Sequence, residues 1–246
     1  MATHFKGPLL YSSGQRALEN LNVSIWPDQF EQFDDFDHGA VDETLRWTIV
    51  KDSGASAAVV ADATNGEVVL TSTATTDNDG ASIQGKQEYF ALPSTAGEKL
   101  YYECRIKTAD ADQTDVFAGL CETFATNPEN AFASPNAIAF VLTDGSAVIA
   151  GRTESGGTET EVTFSPTATA TLADATYITL GFIATKGTST DTVDFFINRA
   201  HVGSSQTNIP TNNMKLAFAS VSGDATGTKS TTMDYVTAAQ DRGVSY

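Results

Sequence analysis

Acidic side chains are the first candidates for chemistry, because the chain carries 31 Asp and Glu against 14 Lys and Arg. Polysaccharide-cleaving β-sandwich enzymes place acids as E-x-D-x-x-E, a spacing that points carboxylates to one face of a strand. The sequence contains no such run. Its acidic stretches EQFDDFD (31–37) and DADQTD (110–115) lie in irregular or loop-like segments. We therefore expect no glycosidase site and no catalytic residue.

Histidine and cysteine offer no clear site either. His4, His38 and His201 have no nucleophile and acid partner nearby in sequence, although pairing in space stays open. Cys104 and Cys121, together with these histidines, lack the spacing of a zinc site. We expect the two cysteines to be buried free thiols in strands, with a disulfide between them as the alternative.

Calcium is the one metal that the sequence suggests. The stretch TTDNDGAS (75–82) places Asp77 and Asp79 just before Gly80, and such oxygen ligands close in sequence suit calcium. The full EF-hand pattern is missing, so an ordinary polar turn is the alternative. No P-loop is present, and GRTESGGTET (151–160) has the composition of a flexible loop. We expect no cofactor.

Short strands separated by turn residues account for most of the chain after residue 37. In VDFFINRAHVGSS (193–205), apolar and polar residues alternate, which predicts a β-hairpin with Val193, Phe195 and Ile197 on one face of a sheet. TDVFAGLCETF (114–124) is apolar enough to be a central, buried strand. More than ten such segments and no long helical period predict an all-β jelly-roll sandwich of two antiparallel sheets.

Residues 1–37 differ from the rest, because large apolar residues are scattered among polar ones without a period of two. This composition predicts an N-terminal arm that docks on another surface, followed by a sandwich domain at 38–246. Packing along its own domain is the alternative for the arm. The predicted contact residues of the arm are Phe5, Leu9, Leu10, Trp26, Phe30, Phe33 and Phe36.

The charge of the chain limits its partners. A formal net charge of −17 and a pI near 4.3 repel nucleic acid, so we expect no nucleic-acid ligand. No apolar stretch approaches the ~18 residues of a membrane span, and the start of the sequence has no secretion signal. We expect no membrane contact and synthesis in the cytoplasm.

Several segments in order resemble one protein family. LYYECRIKTADADQTDVFAGL, then ATLADATYITLGFIATKGTSTDTVDFFINRAHVGSS, then TMDYVTAAQDR are similar to virion structural proteins of tailed bacteriophages, which look like concanavalin A-like jelly rolls. A strand–turn–strand containing Asn-Gly is frequent in that wider superfamily, and Arg199 stands here where Gly is common. The resemblance implies no catalytic residues.

The resemblance implies a capsid decoration, or cement, protein on the outer surface of the head. Its expected partners are the major capsid protein and other copies of itself, with a trimer among the forms that symmetry allows. The alternative is a carbohydrate-binding module of a tail or adsorption structure. In that alternative, Tyr89, Phe90, Tyr101 and Tyr102 are the aromatic residues available for a glycan.

Overall fold

A computed structural model describes residues 29–242, apart from 62, 64, 65, 74, 75 and 125. The strands are β1 (Gln29–Asp34), β2 (Trp47–Lys51), β3 (Ser56–Val59), β4 (Val68–Thr71), β5 (Gly80–Gly85), β6 (Lys99–Thr108), β7 (Thr114–Cys121), β8 (Ala137–Leu142), β9 (Ala150–Ser155), β10 (Thr158–Val162), β11 (Ile178–Thr185), β12 (Thr192–Ile197), β13 (Ala200–Ser205), β14 (Lys215–Ser222) and β15 (Ser230–Asp241). Among these described residues, helix is limited to a 3-10 turn at Pro128–Ala131 and one α-helical turn at Thr167–Ala170. In the described part of the chain, no helix has the length and apolar character needed to cross a membrane.

Two antiparallel sheets form the sandwich. Sheet 1 has the order β13-β12-β11-β6-β15-β4-β3, with β1 also paired to β15. Sheet 2 has the order β10-β9-β8-β7-β14-β5-β2. Consecutive strands form the hairpins at the sheet edges, while central neighbours such as β6 and β15 or β7 and β14 come from distant parts of the sequence, as in a jelly roll. The predicted all-β jelly-roll fold is confirmed.

Alternating side chains fill the space between the sheets. Val193, Phe195 and Ile197 of β12 are fully buried, as predicted for the hairpin. The Phe195 ring lies 5.4 Å from that of Phe140 and 5.5 Å from that of Phe164. Ring contacts of this kind join the two sheets, since Phe140 belongs to β8 of sheet 2.

A second apolar cluster covers the outer face of sheet 2. Phe117 of β7 packs against Phe132, whose ring centroid is 5.9 Å away, and Phe124 and Ala131 lie in the same cluster. The segment that follows β7 therefore folds over this face. Because β7 is buried on both sides, its continuous apolar sequence agrees with the prediction of a central strand.

The N-terminal part of the described chain belongs to the sandwich. β1 pairs with β15 in antiparallel register from Gln29 to Asp34. Phe36 is buried in the main core, with its ring 5.9 Å from that of Trp47. The fold therefore begins ahead of the predicted boundary between residues 37 and 38. For residues 29–37 the structure favours the alternative, in which the chain packs along its own domain.

One turn forms as predicted without the usual glycine, and another differs from what the sequence suggested. The β12–β13 turn contains only Asn198 and Arg199, with φ of 49° and 67°, so a tight two-residue turn forms without glycine. The stretch GRTESGGTET is not a flexible loop. It forms the β9–β10 hairpin, whose turn uses Gly156 and Gly157 at positive φ. Glycine can adopt this backbone conformation without steric cost, which explains the pattern that resembled a loop.

Candidate functional site

The outer surface of sheet 1 carries a dense set of polar side chains, which we call the polar face. Because β6 alternates, its odd-numbered residues point away from the core while Leu100, Tyr102, Cys104 and Ile106 point into it. The polar face consists of Glu67, Tyr101, Glu103, Arg105, Lys107, Tyr177, Thr179, Asn198, Arg199, Asp234 and Tyr235.

Glu103 is a buried carboxylate of the polar face and is fixed by two tyrosine hydroxyls. The residue is only 9% exposed, and its two oxygens accept hydrogen bonds from the hydroxyls of Tyr101 (2.9 Å) and Tyr235 (2.7 Å). Burial, followed by the charge of Glu103 at Tyr101 and by the hydrogen bond to Glu103 at Tyr235, raises the pKa of both phenols well above the usual value. Both tyrosines therefore stay protonated and act as fixed hydrogen-bond donors.

Arg105 and Asp234 form the second fixed pair. A register shift in β15 between Met233 and Tyr235 places Asp234 at an irregularity of the strand, and its Oδ2 lies 2.5 Å from Nη1 of Arg105. The Arg105 guanidinium also lies over the ring of Tyr177, 4.0 Å from its centroid. Contacts on two sides hold the guanidinium in place.

Tyr177 is itself fixed at its other end. Its hydroxyl donates to a carboxylate oxygen of Glu67, and Lys107 lies 4.4 Å from the ring centroid. Burial, followed by the hydrogen bond to Glu67, raises the pKa of the phenol. The aromatic residue is thus a rigid part of the polar face rather than a free platform.

A shallow cavity of about 350 Å³, widely open to solvent, lies in the polar face beside the β12–β13 turn. It is lined by Arg105, Thr179, Asn198, Arg199, Asp234 and Tyr235. The Asn198 side-chain oxygen accepts the backbone N–H of Thr179 at 3.0 Å, which attaches the turn to β11. The cavity therefore combines amide, hydroxyl, guanidinium, carboxylate and phenol groups, a set suited to a ligand rich in hydroxyls.

A separate acidic group lies at one end of sheet 2. Burial, followed by the nearby charges of Asp144, Asp77 and Glu129, raises the pKa of Asp115 to about 6. Asp115 also accepts the backbone N–H of Asp144 at 2.5 Å. A carboxyl group with this pKa is still partly protonated near neutral pH and can therefore act as a general acid.

The structure gives no support to a preformed metal site. In residues 29–242, outside the gaps given above, no three or more His, Cys, Asp or Glu side chains are grouped closely enough to hold a metal ion. Of the calcium candidates, Asp79 accepts a hydrogen bond from Thr73 at 3.1 Å, and Asp77 lies exposed near Asp115.

The predicted partner-contact residues fall into three groups. Phe5, Leu9, Leu10 and Trp26 lie outside the described residues. Phe36 is buried in the core, so its side chain is not available to a partner, and Phe30 packs against Tyr89 and Phe90 at 5.4 and 5.3 Å. Phe33 is 49% exposed and is the described residue of this set that remains open to contact.

The aromatic residues considered for glycan binding differ in whether the structure buries or exposes them. Phe90 and Tyr102 are fully buried, and Tyr102 stacks on Phe182 with a centroid distance of 5.1 Å. Tyr89 is 51% exposed, and Tyr101 belongs to the polar face. Sequence reasoning missed Asp234, Tyr235 and Arg199, although the irregular TTMDYV pattern of β15 marks the first two.

His201 has spatial partners that its sequence neighbours did not reveal. Its Nε2 lies 2.9 Å from the Ser204 hydroxyl and 3.5 Å from Asp194, and Ser204 donates to Asp194 at 2.6 Å. In a catalytic triad the acid holds Nδ1 while Nε2 faces the nucleophile. Here the acid lies on the Nε2 side, so these residues do not form a triad. Cys104 and Cys121 are buried free thiols, as predicted.

Comparison with solved structures independently supports the fold. No protein-family model matches the chain, and no curated protein sequence matches it. Among solved structures, it is similar to an endo-1,3-β-glucanase from Streptomyces sioyaensis (TM-score 0.62, 12% identity, 87% of this chain and 97% of that one). It is also similar to a β-glucanase of Bacillus licheniformis (0.56, 15%, 85% and 97%) and an endo-β-1,4-glucuronan lyase from Trichoderma reesei (0.54, 12%, 84% and 94%).

These similarities correct two predictions. The sequence predicted a capsid decoration protein that is not an enzyme, and the solved structures that share the fold are enzymes named for glycans. Both predictions are contradicted by that finding. At these identities the likeness establishes the concanavalin A-like jelly roll and transfers no activity. The comparisons do not bear on the predicted family resemblance, partners or location, which stay predictions.

Proposed function

We propose that the protein is carbohydrate-active and binds a polysaccharide on the polar face of sheet 1. The observation that carries the proposal is the cavity of about 350 Å³ lined by Arg105, Asp234, Tyr235 and the β12–β13 turn. Sugar rings present many hydroxyls, which need donors and acceptors held in fixed positions. The similarity of the fold to enzymes named for glucans and glucuronan agrees with this ligand class.

Preorganisation is the physical reason to place the ligand here. Arg105 is held by Asp234 and by the ring of Tyr177, so ordering it on binding costs little entropy. Tyr235 is fixed through its hydrogen bond to Glu103. The ligand therefore meets groups that are already in place.

Binding is tested by calorimetric titration of the full chain with oligosaccharides of laminarin, mixed-linkage β-glucan and polyuronate. We expect at least one to bind, and Asp234→Asn to weaken that binding by about tenfold or more, because it removes the charge that holds Arg105. Asp37→Asn, at an exposed aspartate away from the cavity, is the matched control. Failure of every oligosaccharide to bind, or equal affinity of Asp234→Asn and the wild type, would overturn the proposal.

Cleavage of a polysaccharide at a second site, separate from the polar face, is a second candidate function, favoured by Asp115. A glycosidase needs a carboxyl group that donates a proton and a second carboxyl group nearby, and Asp115, whose pKa burial raises, lies beside Asp144 at one end of sheet 2. Release of reducing ends from the same polysaccharides tests it. We expect release to fall as the pH rises above about 6 and to be lost in Asp115→Asn, while Glu43→Gln, at an exposed site, leaves it unchanged. Release that persists in Asp115→Asn excludes this residue as the acid.

A further inference from the structure

The cavity of the polar face holds one more positive than negative charge. Arg105 and Arg199 line it together with a single acid, Asp234. Arg105 is paired with that acid, whereas no hydrogen bond or ion pair among the described residues involves the Arg199 guanidinium. This surplus positive charge is notable in a chain whose net charge is −17.

The backbone at Arg199 adds a second observation. Arg199 occupies the second position of the β12–β13 turn with φ of 67°, a left-handed conformation that favours glycine. A long cationic side chain at such a position strains the turn, and residues strained in this way cluster at ligand-binding and active sites. The Arg199 charge also acts on Tyr101, where it favours the phenolate, so the guanidinium stays close to the polar face.

We propose that Arg199 is the residue that selects an anionic sugar, which carries either a carboxylate or a sulfate ester. The inference rests on the proposed polysaccharide function and names the substrate class of that site. The guanidinium presents paired N–H donors that match a carboxylate or sulfate. Asn198 and Thr179, which line the same cavity, are placed to contact the neighbouring hydroxyls.

The test compares three oligosaccharides of equal length by calorimetric titration of the full chain: a polyuronate, a sulfated galactan and neutral laminarin. We expect an anionic oligosaccharide to bind more tightly than the neutral one, and the uronate and the sulfated arms identify which anion is preferred. Arg199→Gln should weaken binding of the preferred anion by about tenfold or more and change neutral binding by less than twofold. Added salt should weaken the wild type more than this variant.

Two further variants separate recognition from folding. Arg199→Gly removes the side chain and should relieve the turn, so lost affinity in this variant at an unchanged or higher thermal midpoint cannot come from unfolding. Arg199→Lys keeps the charge without the paired donors and should restore part of the affinity. Lys51→Gln removes an exposed charge from β2, far from the cavity in the sheet order, and should leave binding unchanged.

The outcomes distinguish this inference from the proposed function. If the wild type binds a neutral oligosaccharide as well as an anionic one and Arg199→Gln binds both equally, the anionic preference is wrong while polysaccharide binding stands. If the wild type binds none of the three oligosaccharides, the polysaccharide function and the inference built on it both fail.

Discussion

Trp47 donates its indole N–H to the carboxylate of Asp34, with an N–O distance of 2.7 Å. Asp34 is only 5% exposed, and its other oxygen accepts the backbone N–H of Phe36 at 2.9 Å. One side chain at the end of β1 therefore satisfies two buried donors. This contact ties the N-terminal strand of the described chain to β2 of the opposite sheet.

The first prediction concerns this contact. Asp34→Ala leaves the Trp47 indole and the Phe36 amide without their acceptor, and each unpaired buried donor costs about 1–3 kcal/mol. We expect the free energy of unfolding to fall by about 2–6 kcal/mol in urea titrations followed by Trp fluorescence. Asp37→Ala, at an exposed carboxylate, should have almost no effect. Equal stability of the two variants would contradict the proposed role of Asp34.

A second prediction tests the sandwich core. Phe195 is fully buried and contacts three other phenylalanine rings, so Phe195→Ala opens a cavity between the sheets. We expect a loss of about 3–5 kcal/mol in denaturant unfolding. Phe196→Ala removes the half-buried neighbour on the other face of β12 and should cost less. A larger loss of stability in Phe196→Ala than in Phe195→Ala would contradict the assignment of Phe195 to the core face of β12.

A third prediction follows from Asp115. Its pKa is about 6 in the folded chain and 3.8 when unperturbed, so the folded state holds the proton more firmly. Between about pH 4 and pH 6 the unfolded state binds fewer protons, and stability therefore falls as the pH rises through this window. Asp115→Asn should remove this part of the decline, measured as the difference in unfolding free energy between wild type and variant. A constant difference across the window would show that Asp115 titrates normally.

A fourth prediction isolates the strain in the β12–β13 turn. Arg199→Gly replaces a left-handed arginine with the residue that adopts this conformation freely. We expect the thermal midpoint to rise, corresponding to about 1 kcal/mol. Gly203→Ala, in β13, should be destabilising instead, because its new Cβ would lie 3.1 Å from the Phe164 ring. A lower midpoint in Arg199→Gly would mean that the arginine side chain stabilises the turn.

The last prediction concerns the two thiols. Burial raises the pKa of both Cys104 and Cys121 to about 12, so neither forms a thiolate at pH 8. We expect iodoacetamide to leave the folded protein unmodified and to alkylate both cysteines in denaturant, as counted by mass spectrometry. Rapid alkylation of the folded chain would show that a thiol is accessible.

Alternation along single strands was enough to predict the fold. The pattern of β12 assigns its core face correctly because side chains in a strand point to opposite sides with a period of two. The sequence pattern of β1 could not show that this segment belongs to the sandwich. Its pairing with β15 joins residues near opposite ends of the chain, and single-strand patterns carry no information about partners.

The polar face shows more clearly that single-strand patterns do not reveal which residues come together. Arg105 and Asp234 are separated by 129 residues, and Tyr235 and Glu103 by 132, yet each pair is in hydrogen-bond contact. The residue types are visible in the sequence, and so is the alternation that points Glu103 and Arg105 outward. Their meeting depends on which strands lie side by side, and on the irregularity of β15 at Asp234. Local sequence therefore determined the strands and their faces, while tertiary pairing, which minimises exposed apolar surface over the whole chain, decided the site.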